Sequence, residues 1–358
     1  MVEHGGNIYD FTKEQRDKIL DYSSNINPLN INPSIKKIIL KNLDSMNRYP
    51  DIKYLELRKS IADFNGITYE KIVPGNGATE VLFLYCKSEN FKRATIITPT
   101  FGEYERALKN NDIKVDYSYL KEKNKFEIDV KQILKNDIFI DTELVVLCNP
   151  NNPTGRFIPL EQIKLLNEEL KIRGIKLFID ECFIEFIHGW REKSAVNLQD
   201  ENIFILRAFT KYFAIPGLRL GYGISFDKDK IDKILDIKEP WSINNFAEVV
   251  GREIIKDNAF IEKTDKWIES QKKWFYEKLT KVNHILPFKT ETNFILIKLL
   301  NMTSKEFKKE MLKRDVLIRD ASNFEGLDDS YIRVAVKTRK NNTKVLNTIM
   351  EVIKCQEF

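Results

Sequence analysis

IFILRAFTKYFAIPGLRLGY, residues 203–222, sets a strand-like run (Ile203 to Phe209) directly before Lys211, with Arg219 eight residues further on. Aliphatic and aromatic residues ahead of a Pro-Gly turn read as a buried strand. A lysine delivered to the edge of a buried sheet, with a second cation close behind, suits an amine that forms a Schiff base with an aldehyde.

Outward from this stretch the same pattern repeats. ATIIT, LVVLCNP, KLFIDE and RLGYGIS read as further buried strands bounded by Gly, Pro, Asn or Asp, and Ser34 to Leu43, Tyr54 to Phe64 and Glu80 to Lys87 read as helices. Alternating strands and helices predict an α/β fold with a mostly parallel central sheet covered by helices, its functional residues gathered beyond the carboxyl ends of the strands. From about Trp241 the pattern changes to a long helical stretch, the strands NFILIKL, VLIRD and YIRVAVK, and an amphipathic helix ending near Ile353. The expected organisation is a large domain over 48–240 and a smaller α+β domain built from 1–47 and 241–358. The chain shows no repeats, no low-complexity tract and no Gly/Ser linker, so the two should pack closely.

Composition narrows the function. A chain of 358 residues, 42% hydrophobic, can bury a substantial core. No stretch reads as a membrane span, and MVEHGGNIYDF lacks a basic segment followed by an apolar run, which predicts no secretory signal and a cytoplasmic location. Cys86, Cys148, Cys182 and Cys355 form no CxxC pair, and His4, His188 and His284 have no ligand spacing, which argues against a disulfide framework or a metal site. Net charge is +5, with lysines interleaved with acids, so nucleic acid is a poor partner. No GxGxxG follows a strand and no GxxxxGK[ST] occurs, which disfavours a dinucleotide enzyme or a P-loop protein.

An aldehyde cofactor that matches the lysine is pyridoxal 5'-phosphate, which also asks for a carboxylate at its ring nitrogen, a flat partner and a phosphate pocket. Asp180 closes KLFID, where a negative charge would keep the ring nitrogen protonated, although aspartate is also a common turn residue at a strand end. In GNGATE, Gly77, Ala78 and Thr79 stand before a helical run, where amides meet a phosphate at the positive end of the helix dipole; an ordinary Gly-rich turn has the same look. NPNNPTG (149–155) makes a tight turn able to present Asn152, or a plain loop. Phe101 of TPTFGEY would lie over the ring, or belong to the core. What singles these residues out is position: Phe101, Asn152, Asp180, Lys211 and Arg219 each fall at a predicted strand end.

With NPNNPTG, FIDE and TK followed by GLRLGY, the chain resembles, over essentially its full length, the fold-type I pyridoxal-phosphate enzymes of the aminotransferase class I/II group. The resemblance implies that Lys211 bears the cofactor, Asp180 pairs with the ring nitrogen, and Asn152 bonds the ring hydroxyl. It implies phosphate contacts from Gly77, Ala78, Thr79, Thr210 and Arg219. Tyr49 of RYPD resembles a tyrosine that reaches the phosphate of the neighbouring subunit, so a homodimer with shared sites is implied.

HGGNIYDF, SSNINPL, AIPGLRLGY, PWSINNFA and IRDASNFEGL resemble a decarboxylating branch of this group from cobalamin biosynthesis. The implied substrate is a small phosphorylated amino acid, O-phospho-L-threonine, converted to (R)-1-amino-2-propanol O-2-phosphate. Transamination of histidinol phosphate is the alternative, and phosphoserine is not separated from phosphothreonine, because one methyl group is worth only about 1 to 3 kcal/mol in a pocket. Arg333 in YIRVAVK matches a residue that clamps the substrate carboxylate, and Arg319 in VLIRD one that holds a substrate phosphate. Without the resemblance both read as strand-surface arginines in salt bridges. His4 and Asn27 are expected to add anion contacts. Two departures carry chemistry. Phe183 stands where the aminotransferases have a tyrosine, which removes a donor to the ring oxygen, and Ala208 stands where relatives often carry a hydroxyl.

Overall fold

The computed structural model describes residues 5–135 and 139–355. Numbered along the chain, β1 (Leu20–Asp21) lies in the N-terminal segment, and the next seven strands build one sheet: β2 (Ile72–Gly75), β3 (Arg93–Thr98), β4 (Lys114–Tyr119), β5 (Leu144–Cys148), β6 (Lys176–Asp180), β7 (Ile203–Ala208) and β8 (Gly221–Ser225). Their order is β2-β8-β7-β6-β5-β3-β4. The pairs β7/β6, β6/β5, β5/β3 and β3/β4 are parallel, while β8 runs antiparallel to both of its neighbours. Buried strands with helical crossovers produce this arrangement, and it brings the carboxyl ends of β5, β6 and β7 to one edge.

The strands expected from ATIIT, LVVLC, KLFID, IFILRAF and LGYGIS are β3, β5, β6, β7 and β8. Two strands of this sheet escape the sequence reading. β2 is only four residues long, and β4 lies at the sheet edge with a half-polar KVDYSY pattern. Helices form at Pro33–Lys41, Leu55–Asn65 and Ala78–Ser88, close to their expected positions. Tyr54 is the left-handed residue before its helix rather than the first residue in it, and Gly66 closes that helix at φ 68°.

β7 shows strand periodicity at work. Leu206 faces the cavity described below, while its neighbour Arg207 points to the opposite face and is wholly buried. There the guanidinium bonds Glu181 Oε2 at 2.9 Å, Glu185 Oε1 at 3.2 Å and Ser194 Oγ at 2.7 Å. A buried cation held on three sides ties the loop after β6 to β7.

The C-terminal part carries a second, antiparallel sheet: β9 (Ile285–Pro287), β10 (Phe294–Leu299), β12 (Arg319–Asp320) and β13 (Tyr331–Ala335), in the order β12-β13-β10-β9. VLIRD, expected as one strand, divides at Ile318. β11 (Val316–Leu317) pairs in parallel with β1, Leu20 opposite Val316, whereas β12 pairs with β13, Arg319 opposite Arg333. The helix Asn258–Leu279 and the terminal helix Arg339–Lys354, capped by Asp257 and Thr338, pack beside this sheet. Among the described residues no helix is long and apolar enough to cross a membrane.

Candidate active site

At the carboxyl edge of β5–β7 lies a cavity of about 300 Å³. Cys148 and Asp180 are register partners at the ends of β5 and β6, and Thr210 and Lys211 follow β7, so parallel pairing alone converges them. Asp180 is 5% exposed and each oxygen accepts one hydrogen bond, with lone pairs to spare: Oδ1 from the Cys182 amide at 2.7 Å and Oδ2 from the Tyr104 hydroxyl at 2.6 Å. Burial and the Asp180 charge push the Tyr104 phenol well above its ordinary range, so it remains a donor. Burial pushes the Cys148 thiol up to about 12 and the Cys182 thiol well above its ordinary range, which leaves neither as a nucleophile.

Lys211 is half-buried, and its backbone carbonyl accepts from the Asn27 amide at 3.1 Å. Its Nζ lies 5.3 Å from the centroid of the Phe183 ring. Phe183 meets Phe294 edge to face at 5.1 Å, and the Arg333 guanidinium lies 5.2 Å from the Phe294 centroid. An aromatic pair thus separates the lysine wall from the arginine wall. Phe101, half-buried on the cavity lining, meets Tyr104 at 5.7 Å in a T-shaped contact.

One end of the cavity is a helix start. The helix Ala78–Ser88 follows Gly77, which adopts φ 81° and supplies no side-chain cap, so the first amides stay available to a ligand. A methyl group on Gly77 would stand 2.5 Å from Arg219 Nη2, and one on Gly221 would stand 2.3 Å from the Ala78 amide nitrogen. Both glycines are therefore required by the close approach of β8 and Arg219 to the helix start. Bare amides, the Thr79 and Thr210 side chains and a guanidinium make a cradle for a phosphate dianion.

The opposite wall is Arg333. Nη1 donates to Asn152 Oδ1 and Nη2 to the Ser23 carbonyl at 3.0 Å, while the buried Nε has no partner among the described residues. Burial, with Arg319 opposite in register, pushes this guanidinium down to about 9, and Asp21 offsets part of that. An anion in the cavity would relieve both costs at once.

Of the residues expected from the sequence, Ala78, Thr79, Phe101, Asn152, Asp180, Phe183, Thr210, Lys211, Arg219 and Arg333 line this one cavity, with Gly77 against Arg219. The others stand elsewhere. Asn27 does not reach the cavity: its amide nitrogen donates to the Tyr212 carbonyl at 2.8 Å and to Thr264 Oγ1 at 2.9 Å, and its oxygen accepts from the Leu29 amide. Its neighbour two residues earlier, Asn25, lines the cavity with a buried Oδ1 that has no partner among the described residues. Arg319 is buried behind the lining, bonded to Asn323 Oδ1 at 2.6 Å and stacked on Phe324. Tyr49 is 78% exposed and packs on Trp241 at 4.6 Å, away from this cavity. His4 lies outside the described residues. Tyr104 and Asn25 went unrecognised. TPTFGEY held the first, and SSNINPL offered two asparagines with nothing local to choose between them.

The chain is similar to known proteins over nearly its full length. The profile of the family described as aminotransferase class I and II matches residues 17–349. A putative threonine-phosphate decarboxylase of Caldanaerobacter subterraneus subsp. tengcongensis is 40% identical over 97% of this chain and 93% of that protein. The threonine-phosphate decarboxylase of Salmonella typhimurium is 31% identical over 98% and 96%. Among solved structures, a histidinol-phosphate aminotransferase from Clostridium acetobutylicum is 38% identical with a TM-score of 0.87, covering 92% of this chain and 98% of that one.

Proposed function

The chain belongs to the aminotransferase class I and II family, and from that premise we propose that it is a pyridoxal-phosphate enzyme that decarboxylates O-phospho-L-threonine to (R)-1-amino-2-propanol O-2-phosphate, a step of cobalamin biosynthesis. The observation that carries the reading is the facing of Lys211 and Asp180 on one wall by the incompletely bonded, buried Arg333 on the other. The cofactor fits: a bare helix start crossed by Arg219 suits its phosphate, and the Asp180 carboxylate, held from two sides, suits its ring nitrogen.

When bound, pyridoxal phosphate supplies an electrophilic aldehyde and a ring that accepts the electron pair released at the substrate α-carbon. Lys211 Nζ would provide the amine that holds the cofactor and a group able to carry a proton at the α-carbon. Asp180 would keep the ring nitrogen protonated, and Asn152 would bond the ring hydroxyl. Arg333 grips the substrate carboxylate as a planar fork. By fixing the direction of the substrate carboxylate, Arg333 would orient the α-carbon for loss of carbon dioxide rather than of the α-proton. A substrate phosphate would be met on the Arg333 side of the cavity, with Arg319 adding positive charge from behind the lining.

The test is carbon dioxide release from O-phospho-L-threonine by the purified, cofactor-loaded protein without a keto acid, with phosphoserine as competitor. Sustained release is expected. The 38% identity to a histidinol-phosphate aminotransferase favours the rival reading, and turnover only with histidinol phosphate and 2-oxoglutarate would establish it. Borohydride trapping should label Lys211.

The reading extends to a homodimer, a two-lobe division at 48–240 against 1–47 with 241–358, and a cytoplasmic setting. Exposed Leu40, Leu43, Met46, Tyr49, Ile52 and Trp241 support a face that a second copy covers, with Tyr49 reaching the neighbouring cradle. Four free cysteines suit a reducing compartment.

A further inference from the structure

After β1 the chain leaves the sheet, and residues 22–27 run along the cavity with no regular strand or helix of their own. Their carbonyls are taken up by side chains from the far end of the chain. Arg333 Nη2 donates to Ser23 O at 3.0 Å, Asn293 Nδ2 to Asn25 O at 2.9 Å, and Lys337 Nζ to Ile26 O at 3.0 Å. On the other side the Asn27 amide binds Lys211 O. Backbone bonds anchor the segment at Tyr22 and Asn27, and between them it is a strap held by side chains, which presents Ser24, Asn25 and Ile26 to the cavity.

Arg333 already belongs to the substrate wall; Lys337 has no role there so far. It stands just past the end of β13, four residues after Arg333, and reaches back to the same segment that Arg333 holds. Its backbone is fixed by Asn342 on both sides and by the Trp267 indole at 2.9 Å. Its side-chain hydrogen bond goes to a carbonyl, with Asp21 supplying the attraction from farther off, and burial pushes the ammonium down to about 8. A neutral donor would satisfy Ile26 O at lower desolvation cost. The charge makes sense as part of a wall built for an anionic ligand.

We propose that Lys337 is a positioning residue for the phosphorylated substrate: its ammonium fastens the strap at Ile26 and so holds Asn25 against the cavity, with Asn293 as the neighbouring fastener. This deepens the functional reading above and rests on it. The strap lies on the substrate side, so Lys337 governs substrate affinity while the cofactor cradle at the helix start is untouched.

The experiment compares Lys337→Met, Lys337→Arg and Asn293→Ala with the wild type, using steady-state kinetics on O-phospho-L-threonine, the cofactor absorption spectrum, and hydrogen exchange at the amides of residues 23–27. Lys337→Met should raise KM about tenfold, the loss expected for one hydrogen bond to a charged group. It should leave kcat within about twofold and the spectrum unchanged, as for lost ground-state binding. Exchange across the strap should accelerate. Lys337→Arg should restore both KM and protection, and Asn293→Ala should reproduce the pattern even where Lys337→Met does not fold. Unchanged KM with unchanged exchange overturns the proposal, as does a loss confined to kcat and the cofactor band. A wild type inactive on phosphorylated amino acids sinks the functional reading instead, and the exchange data still decide whether Lys337 holds the strap.

Discussion

The Tyr104 hydroxyl donates to Asp180 Oδ2 at 2.6 Å, from the helix start after β3 across β5 to the end of β6. Both groups are almost completely buried, so the bond fixes the carboxylate orientation in a low-dielectric setting. Tyr104→Phe keeps the packing and removes the donor. The expected result is a fall in kcat of about tenfold, the scale of one hydrogen bond to a charged group, with the cofactor retained. Steady-state kinetics beside an absorption spectrum separate the two effects.

Arg333 carries a buried charge, with an Nε unpartnered among the described residues on the substrate side. The guanidinium stays protonated across the working range, so its burial cost is relieved by an anionic ligand rather than by losing the proton. Arg333→Leu should therefore cost about 2 to 5 kcal/mol of substrate binding at neutral pH. KM measured at pH 7 for both proteins is the check.

Gly221→Ala tests the cradle. The added methyl would stand 2.3 Å from a backbone nitrogen of the helix start, which cannot rotate away as a side chain can. The helix start must shift away from Arg219, and cofactor affinity should drop by about tenfold or more, the cost of one charge-assisted hydrogen bond or greater. Titration of the apoprotein by fluorescence measures it, and an affinity equal to the wild type would refute the assignment of the phosphate to this end.

Phe183→Tyr addresses the departure from the aminotransferases. The ring lies 5.3 Å from Lys211 Nζ and against Phe294, with 5% of its surface exposed. A phenol there adds a donor to the ring oxygen and favours its deprotonated form. The pH midpoint of the cofactor absorption band should fall. A spectral titration giving an equal or higher midpoint would count against the assignment of Phe183.

What the sequence disclosed follows a physical division. Asp180 and Lys211 were legible because each ends an apolar run, and parallel register then forces the two together. Gly77 was legible for a similar reason, as the residue where a strand turns into a helix. Tyr104 was not, because a tyrosine in the first turn of a helix is usually core, and only the tertiary fold aims its hydroxyl at a carboxylate. Asn25 and Asn27 stand two apart in a segment without regular structure. Which of them faces the cavity is settled by Asn293, Lys211 and Tyr212, all remote in sequence. The break of VLIRD at Ile318 was hidden likewise, since a run of apolar residues shows that a strand forms and not which partner each half will choose.

That break has a consequence for the order of assembly. Leu20 pairs with Val316, and the carbonyls of Ser23, Asn25 and Ile26 await donors from residues 293 to 337. A growing chain leaves the ribosome with these early residues first, and closing so long a loop carries an entropic cost that local helices and hairpins escape. The anion-gripping wall is therefore finished only when the two ends of the polypeptide meet, and a truncation at either end should cost recognition of the substrate.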